Sequence, residues 1–140
     1  MFVLDSDTLT LIYTAHPRVI ARRSSVPASQ IAITVVTRIE VLQGRFAFLL
    51  KAATVADLLR AQQWLDGTDG LLASIPAILP ITEAAATEFD RLRQNKRLKK
   101  IGRADLLIAA ITLASRATLV TRNRKDFRQV PGLQLDNWAD

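Results

Sequence analysis

Four carboxylates in this chain stand where chemistry is commonly done: Asp5, Glu40, Asp105 and Asp126. Each falls at the carboxyl side of an expected strand or near the start of an expected helix. In open α/β sheets the ligand crevice lies outside the carboxyl ends of the strands. Acids gathered there repel one another, which raises their pKa values or destabilises the fold. A divalent cation removes that penalty and is the usual reason to gather carboxylates. In two-metal sites the ions stabilise both the attacking and the leaving oxygen of a phosphoryl displacement. Metal-activated water then serves as nucleophile without a histidine base. The chain holds one histidine, His16, and no cysteine, so a zinc site of the usual His/Cys kind is excluded. Oxygen ligands point instead to Mg²⁺ or Mn²⁺. The expected chemistry is metal-assisted cleavage of a nucleic acid.

Taken singly, each acid also has an ordinary explanation. Glu40 completes a Thr-x-x-Glu capping box with Thr37. Asp105 enters the first turn of a helix, where negative charge suits the macrodipole. Asp126 lies in a turn beside Arg124 and Lys125, and Asp5 can accept backbone N–H bonds at a strand end. Two neighbours tip the balance. Asp5 follows an apolar strand, and Asp105 precedes an apolar run, so both carboxylates sit at the edge of the core. Ser6, Thr8, Thr37, Thr121 and Asn123 are candidates to orient these acids or water, and equally candidates for caps.

Basic residues accompany the acids. Arg91, Arg93, Lys96, Arg97, Lys99, Lys100 and Arg103 crowd one stretch that leads to Asp105, and Arg122, Arg124, Lys125 and Arg128 flank Asp126. Most charge runs are solvated faces. An acidic metal site, however, repels phosphates unless cations compensate, and such residues position a backbone without reading bases. The formal net charge of +6 fits a polyanionic partner. Aromatics make up 6% and lie mostly in apolar stripes, so no base-reading side chain stands out.

The elements that must position these residues follow in order. Phe2 to Leu4 reads as a buried parallel strand with Asp5 at its end. Asp7 is expected to cap a helix from Thr8 to about Ala15. Pro17 opens a short helix through Arg23. Ile31 to Val36, β-branched and apolar, reads as the second strand. Thr37 to Glu40 opens a helix running towards Gly44. A separate helix is expected from Phe46 to about Leu65, burying Leu49, Leu50, Ala53, Ala56 and Leu59. Gly67 and Gly70 punctuate a loop. Ile78 to Ile81 is a third strand, with Pro80 marking an edge. Thr82 caps a helix from Glu83 to about Arg97 with Ala85, Ala86, Phe89 and Leu92 inward. Leu106 to about Arg116 is a helix apolar all round, hence buried. Thr118 to Thr121 is a fourth strand, Asn123 caps a turn through Phe127, and Leu133 to Leu135 is a last strand. Trp138 is expected to pack near the end.

At 140 residues with 49% apolar and 23% charged residues, the chain is expected to be one domain, 1–140, with a real core. No apolar run spans a bilayer, and no secretory signal pattern is seen, which favours a cytoplasmic setting. Alternating strands and helices give an α/β fold with a mainly parallel sheet.

The segments "FVLDSDTLT", "ITVVTRIEVLQG", "IGRADLLIAAITLA" and "LVTRNRKDFRQVPGLQLDNW" resemble, in order, the signature segments of PIN-domain ribonucleases, most of all the VapC toxins of bacterial toxin–antitoxin pairs. The resemblance spans essentially the whole chain. It implies a three-layer α/β/α sandwich with strand order 3-2-1-4-5 and Mg²⁺- or Mn²⁺-dependent endonuclease action on RNA. The family's three principal acids match Asp5, Glu40 and Asp105, and its variable fourth position matches Asp126, with Asn123 nearby. Asp7 departs from the asparagine common in the family. The resemblance also implies a homodimer neutralised by a cognate antitoxin. Other readings of the residues are a PIN nuclease of RNA processing without antitoxin and a non-catalytic nucleic-acid-binding domain. A phosphoacceptor receiver domain needs a lysine near a late strand end, where this chain has Thr121-Arg122-Asn123.

Overall fold

The N-terminal apolar run is strand β1 (Phe2–Leu4), the middle strand of the sheet in the computed structural model, which describes residues 1–140. Strands β2 (Ile31–Thr34) and β4 (Thr118–Val120) flank it, and β3 (Ala77–Leu79) and β5 (Gln134–Asp136) close the edges. The order is β3-β2-β1-β4-β5, and every pairing is parallel. Val3 aligns with Ala32 and with Leu119, so the three central strands end level with one another. Their carboxyl ends form one rim.

Side chains alternate across the sheet, and the two faces feed two cores. Val3 and Leu119 face helices α5 (Glu83–Arg93) and α6 (Arg103–Ala114), where Ala85, Leu92, Ile108 and Ile111 are buried. Leu4, Ile33 and Val120 face the other way. They meet Leu9 and Ile12 of α1 (Ser6–Tyr13), Val19 of α2 (Pro17–Ser25) and Leu72 of α4 (Val55–Ala73). The result is the expected three-layer sandwich. Each fully buried Leu, Ile or Val contributes about 1.5–3 kcal/mol, so the two cores can carry a rim that is electrostatically costly.

Several local expectations are corrected. Asp5, not Asp7, caps α1: its side chain accepts the Thr8 N–H, and Asp7 falls in the first turn. Val35 and Val36 leave the strand and begin α3 (Val35–Lys51), because the Thr34 hydroxyl accepts the Thr37 N–H and starts the helix there. The Thr37–Glu40 capping box therefore does not form. Helix α3 runs through Gly44 without a break and ends at Lys51. The chain turns at residues 52–54, and the Thr54 hydroxyl caps α4. That turn splits the stripe expected from Leu49 to Leu59, leaving Leu50 84% and Leu59 62% exposed. Gly67 and Gly70 lie inside α4 rather than in a loop. Helix α5 stops at Arg93, and Ala86 faces solvent. Pro80 follows β3 directly, which is an edge strand as expected. Trp138 is buried against the ring of Phe2, with ring centres 5.5 Å apart.

Candidate active site

The rim brings three distant acids to one hollow. Asp5, Glu40 and Asp105 all line a cavity of about 210 Å³, together with Ser6, Asp7 and Asn123 and the apolar side chains of Ile108 and Phe127. Each acid arrives by a different local device. Asp5 ends β1, and its backbone N–H donates to the Val120 carbonyl at 3.1 Å, which ties it to β4. Glu40 sits in the second turn of α3, which leaves the rim at Thr34. Asp105 is in the first turn of α6, one residue before the buried Leu106. Asp126 lies on α7 (Arg124–Phe127) and does not line the cavity, although Asn123 links it to the group.

The supporting hydrogen bonds sort the candidate orienting residues. The Thr8 N–H donates to Asp5 at 2.8 Å. Ser6 Oγ donates to Glu40 Oε1 at 2.7 Å. Asn123 Nδ2 donates to Asp126 Oδ2 at 3.1 Å, while its own N–H donates to Thr121 Oγ1 at 2.9 Å. Thr37 is different: its bonds go to Thr34, so it is a capping-turn residue. Sequence patterns gave no sign of Thr34, whose hydroxyl sets where α3 begins and hence where Glu40 falls.

The pocket is electrostatically uncomfortable. Burial pushes the Asp5 carboxyl above its ordinary value of 3.8, with the Asp7 charge adding to the rise and hydrogen bonds from Thr121 and Thr8 opposing it. Asp105 is also raised, first by burial, then by the charges of Glu40, Asp5 and Asp126. Asp105 is thus within electrostatic reach of the other three predicted acids. They are not gathered at ligating distance, since no three acidic or imidazole side chains form a metal-binding group. Glu40 turns to Ser6 and Asp126 to Asn123 instead. The donor set nevertheless fits a hard dication: oxygen atoms only, and more negative charge than the pocket favours.

Cations surround this centre unevenly. Arg91 and Arg93 are spent on Glu88 and Asp90, and Arg122 on Asp140 at 3.6 Å. Lys96, Arg97, Lys99 and Lys100 are exposed and make no ion pair. Arg103 lies over the ring of Phe89, 5.1 Å from its centre.

A model of the PIN domain matches residues 2–133. The chain belongs to the PIN domain family. Among curated proteins, this PIN domain is similar to the ribonuclease VapC1 of Haemophilus influenzae strain R2866, at 25% identity over 99% of this chain and 98% of that protein. Its likeness to ribonuclease VapC2 of Rickettsia felis is higher, at 55%, but is confined to 38 residues, 27% of this chain and 28% of that protein. Among solved structures, it resembles a chain of the Rickettsia felis VapBC2 complex bound to a DNA fragment from their promoter. That match has a TM-score of 0.76 and 27% identity, and it covers 98% of each chain.

Proposed function

We propose that this PIN domain is a metal-dependent endoribonuclease, the toxin of a VapBC-type toxin–antitoxin pair, which hydrolyses RNA phosphodiester bonds. One observation carries the reading: Asp5, Glu40 and Asp105, far apart in sequence, line one small hollow at the carboxyl rim of a parallel sheet. The curated relatives named ribonuclease VapC support the activity, and the VapBC2 neighbour supports a VapB-like antitoxin as partner. No helix is long and apolar enough to cross a membrane, which agrees with work in the cytoplasm.

Asp5, Glu40 and Asp105 would hold Mg²⁺ or Mn²⁺, with Asp126 beside them. When bound, the cation activates water and offsets charge on the phosphate oxygens. The chain's own side chains do the rest. The Thr8 N–H donates to one oxygen of Asp5, and Thr121 adds a further hydrogen bond that holds the carboxylate in place. Ser6 holds Glu40, and Asn123 holds Asp126, so neither acid collapses onto its neighbours. Ile108 and Phe127 wall the hollow on the core side and keep its dielectric low, which strengthens each charge interaction inside. Exposed lysines before α6 hold the RNA backbone by charge without selecting bases. The resemblance also supports a homodimer.

The test is Asp5→Asn, assayed on RNA with Mg²⁺ and with Mn²⁺. Loss of about 3 kcal/mol of transition-state stabilisation is expected, a fall of about a hundredfold or more with the fold retained. Full metal-dependent cleavage by that variant would remove Asp5 from the reaction.

A further inference from the structure

A second hollow opens beside the acid pocket, between α1 and α3. It measures about 320 Å³ and shares Ser6, Asp7 and Glu40 with the acid pocket, then continues past Thr10 and Gly44 to Arg45. Arg45 lies five residues after Glu40 on the same helix, about 7.5 Å along its axis. Gly44 contributes no side chain, and a Cβ there would meet nothing within 4 Å, so the floor between Glu40 and Arg45 is open.

Arg45 is held in a built cradle. Its guanidinium lies over the ring of Tyr13, 5.4 Å from the centre, and over the ring of Trp64, 5.3 Å from the centre. Its Nε donates to the buried hydroxyl of Thr68 at 2.9 Å. The Tyr13 ring reaches that position only because residue 67 is glycine: a Cβ there would stand 2.7 Å from the ring. Two aromatic faces and one hydrogen bond thus fix the plane of the guanidinium. The chain's ion pairs use Arg22, Arg60, Arg91, Arg93 and Arg122, and none involves Arg45. An arginine has five N–H donors. With Nε engaged, the two Nη groups remain as a pre-oriented fork, which matches the oxygens of a phosphate.

We propose that Arg45 is a phosphate-binding subsite, taking a backbone phosphate of single-stranded RNA outside the acid pocket and setting the path of the strand across it. The assignment rests on the ribonuclease reading. A phosphodiester suits the hollow better than an acidic protein segment does. The hollow is continuous with the acids that would take the scissile phosphate, and Val41 is its single apolar lining residue. Fixing the guanidinium beforehand lowers the ordering cost of each contact it makes.

The experiment measures binding, so that it stands apart from cleavage. Arg45→Met and Arg45→Lys are made in an Asp105→Asn chain, and fluorescence anisotropy follows a fluorescein-labelled single-stranded oligoribonucleotide with Mg²⁺ over a range of salt. Arg45→Met is expected to raise Kd about tenfold and to flatten the salt slope by about 0.7, the value of one phosphate contact on a single strand. Arg45→Lys keeps the charge and loses the fork, so the slope is retained and Kd rises severalfold. Melting curves show whether each variant is folded. Wild-type affinity in either folded variant overturns the assignment. So does an effect on binding of poly-L-glutamate that RNA does not share, because the site then takes a carboxylate chain. Failure of the unsubstituted chain to cleave RNA with Mg²⁺ or Mn²⁺ counts against the ribonuclease reading alone.

Discussion

At the carboxyl rim of the sheet, Asp5 is 8% exposed, Phe127 1% and Val120 fully buried, whereas the tip of the α3–α4 hairpin leaves Leu50 84% and Val55 76% exposed. The rim puts charge where packing is tightest, and the hairpin puts apolar surface where packing is absent. Neither choice maximises the stability of the isolated chain. The rim's carboxylates cost free energy because they are desolvated and close to one another. The core beneath bears that cost, and it holds the acids at the mouth of the pocket. At the hairpin, uncovered leucine contributes little, since only area removed from water stabilises. Below the tip the hairpin is ordered by aromatic contacts instead, including Phe48 on Trp64 with ring centres 4.9 Å apart. One region spends stability on chemistry, and the other forgoes it to leave a surface open.

Three measurements sharpen the contrast. The largest effect is expected from Phe127→Ala, which empties a fully packed position in the wall of the acid pocket. A loss of about 3–5 kcal/mol in denaturant unfolding is expected, and a loss under 1 kcal/mol would mean that the rim does not depend on the core. Next comes Asp105→Asn without divalent cation. A raised native pKa means that the native state holds the proton more tightly than the unfolded chain. Stability from this group is therefore fully present below 3.8 and is lost as pH rises through the native value. The variant should melt higher than wild type at neutral pH and level with it in acid; a lower melting point at neutral pH would show that the carboxylate is stabilising after all. The smallest effect is expected from Leu50→Ser at the hairpin tip, a change within about 0.5 kcal/mol. A larger loss would reveal a role for the tip in the monomer's own fold.

Much of the frame was legible because buried parallel strands read as short apolar runs. Phe2–Leu4 announced β1, and with it the position of Asp5. The all-apolar run after Asp105 announced a buried helix, and Asn123 was recognisable as the cap of α7. Glycine misled. Gly44, Gly67 and Gly70 looked like punctuation, yet all three lie within helices. A mid-helix glycine costs about 1 kcal/mol, which tertiary packing can override. For Gly67 the reason is visible only in three dimensions: the ring of Tyr13, 54 residues earlier, occupies the space of a side chain. Val35 and Val36 misled in the opposite sense, because β-branched residues look like strand until Thr34 is seen to cap a helix.

The sequence by itself determined which residue types were available for chemistry and how strands and helices alternate, since composition and hydrophobic period are local properties of the chain. Oxygen donors without cysteine or a second histidine left a hard cation as the natural choice. Tertiary structure alone decided which acids share a hollow, which hydroxyls hold them and which arginine is pinned between two rings. Those are distances between residues remote in the chain, and only the packing of the sheet against its helices sets them.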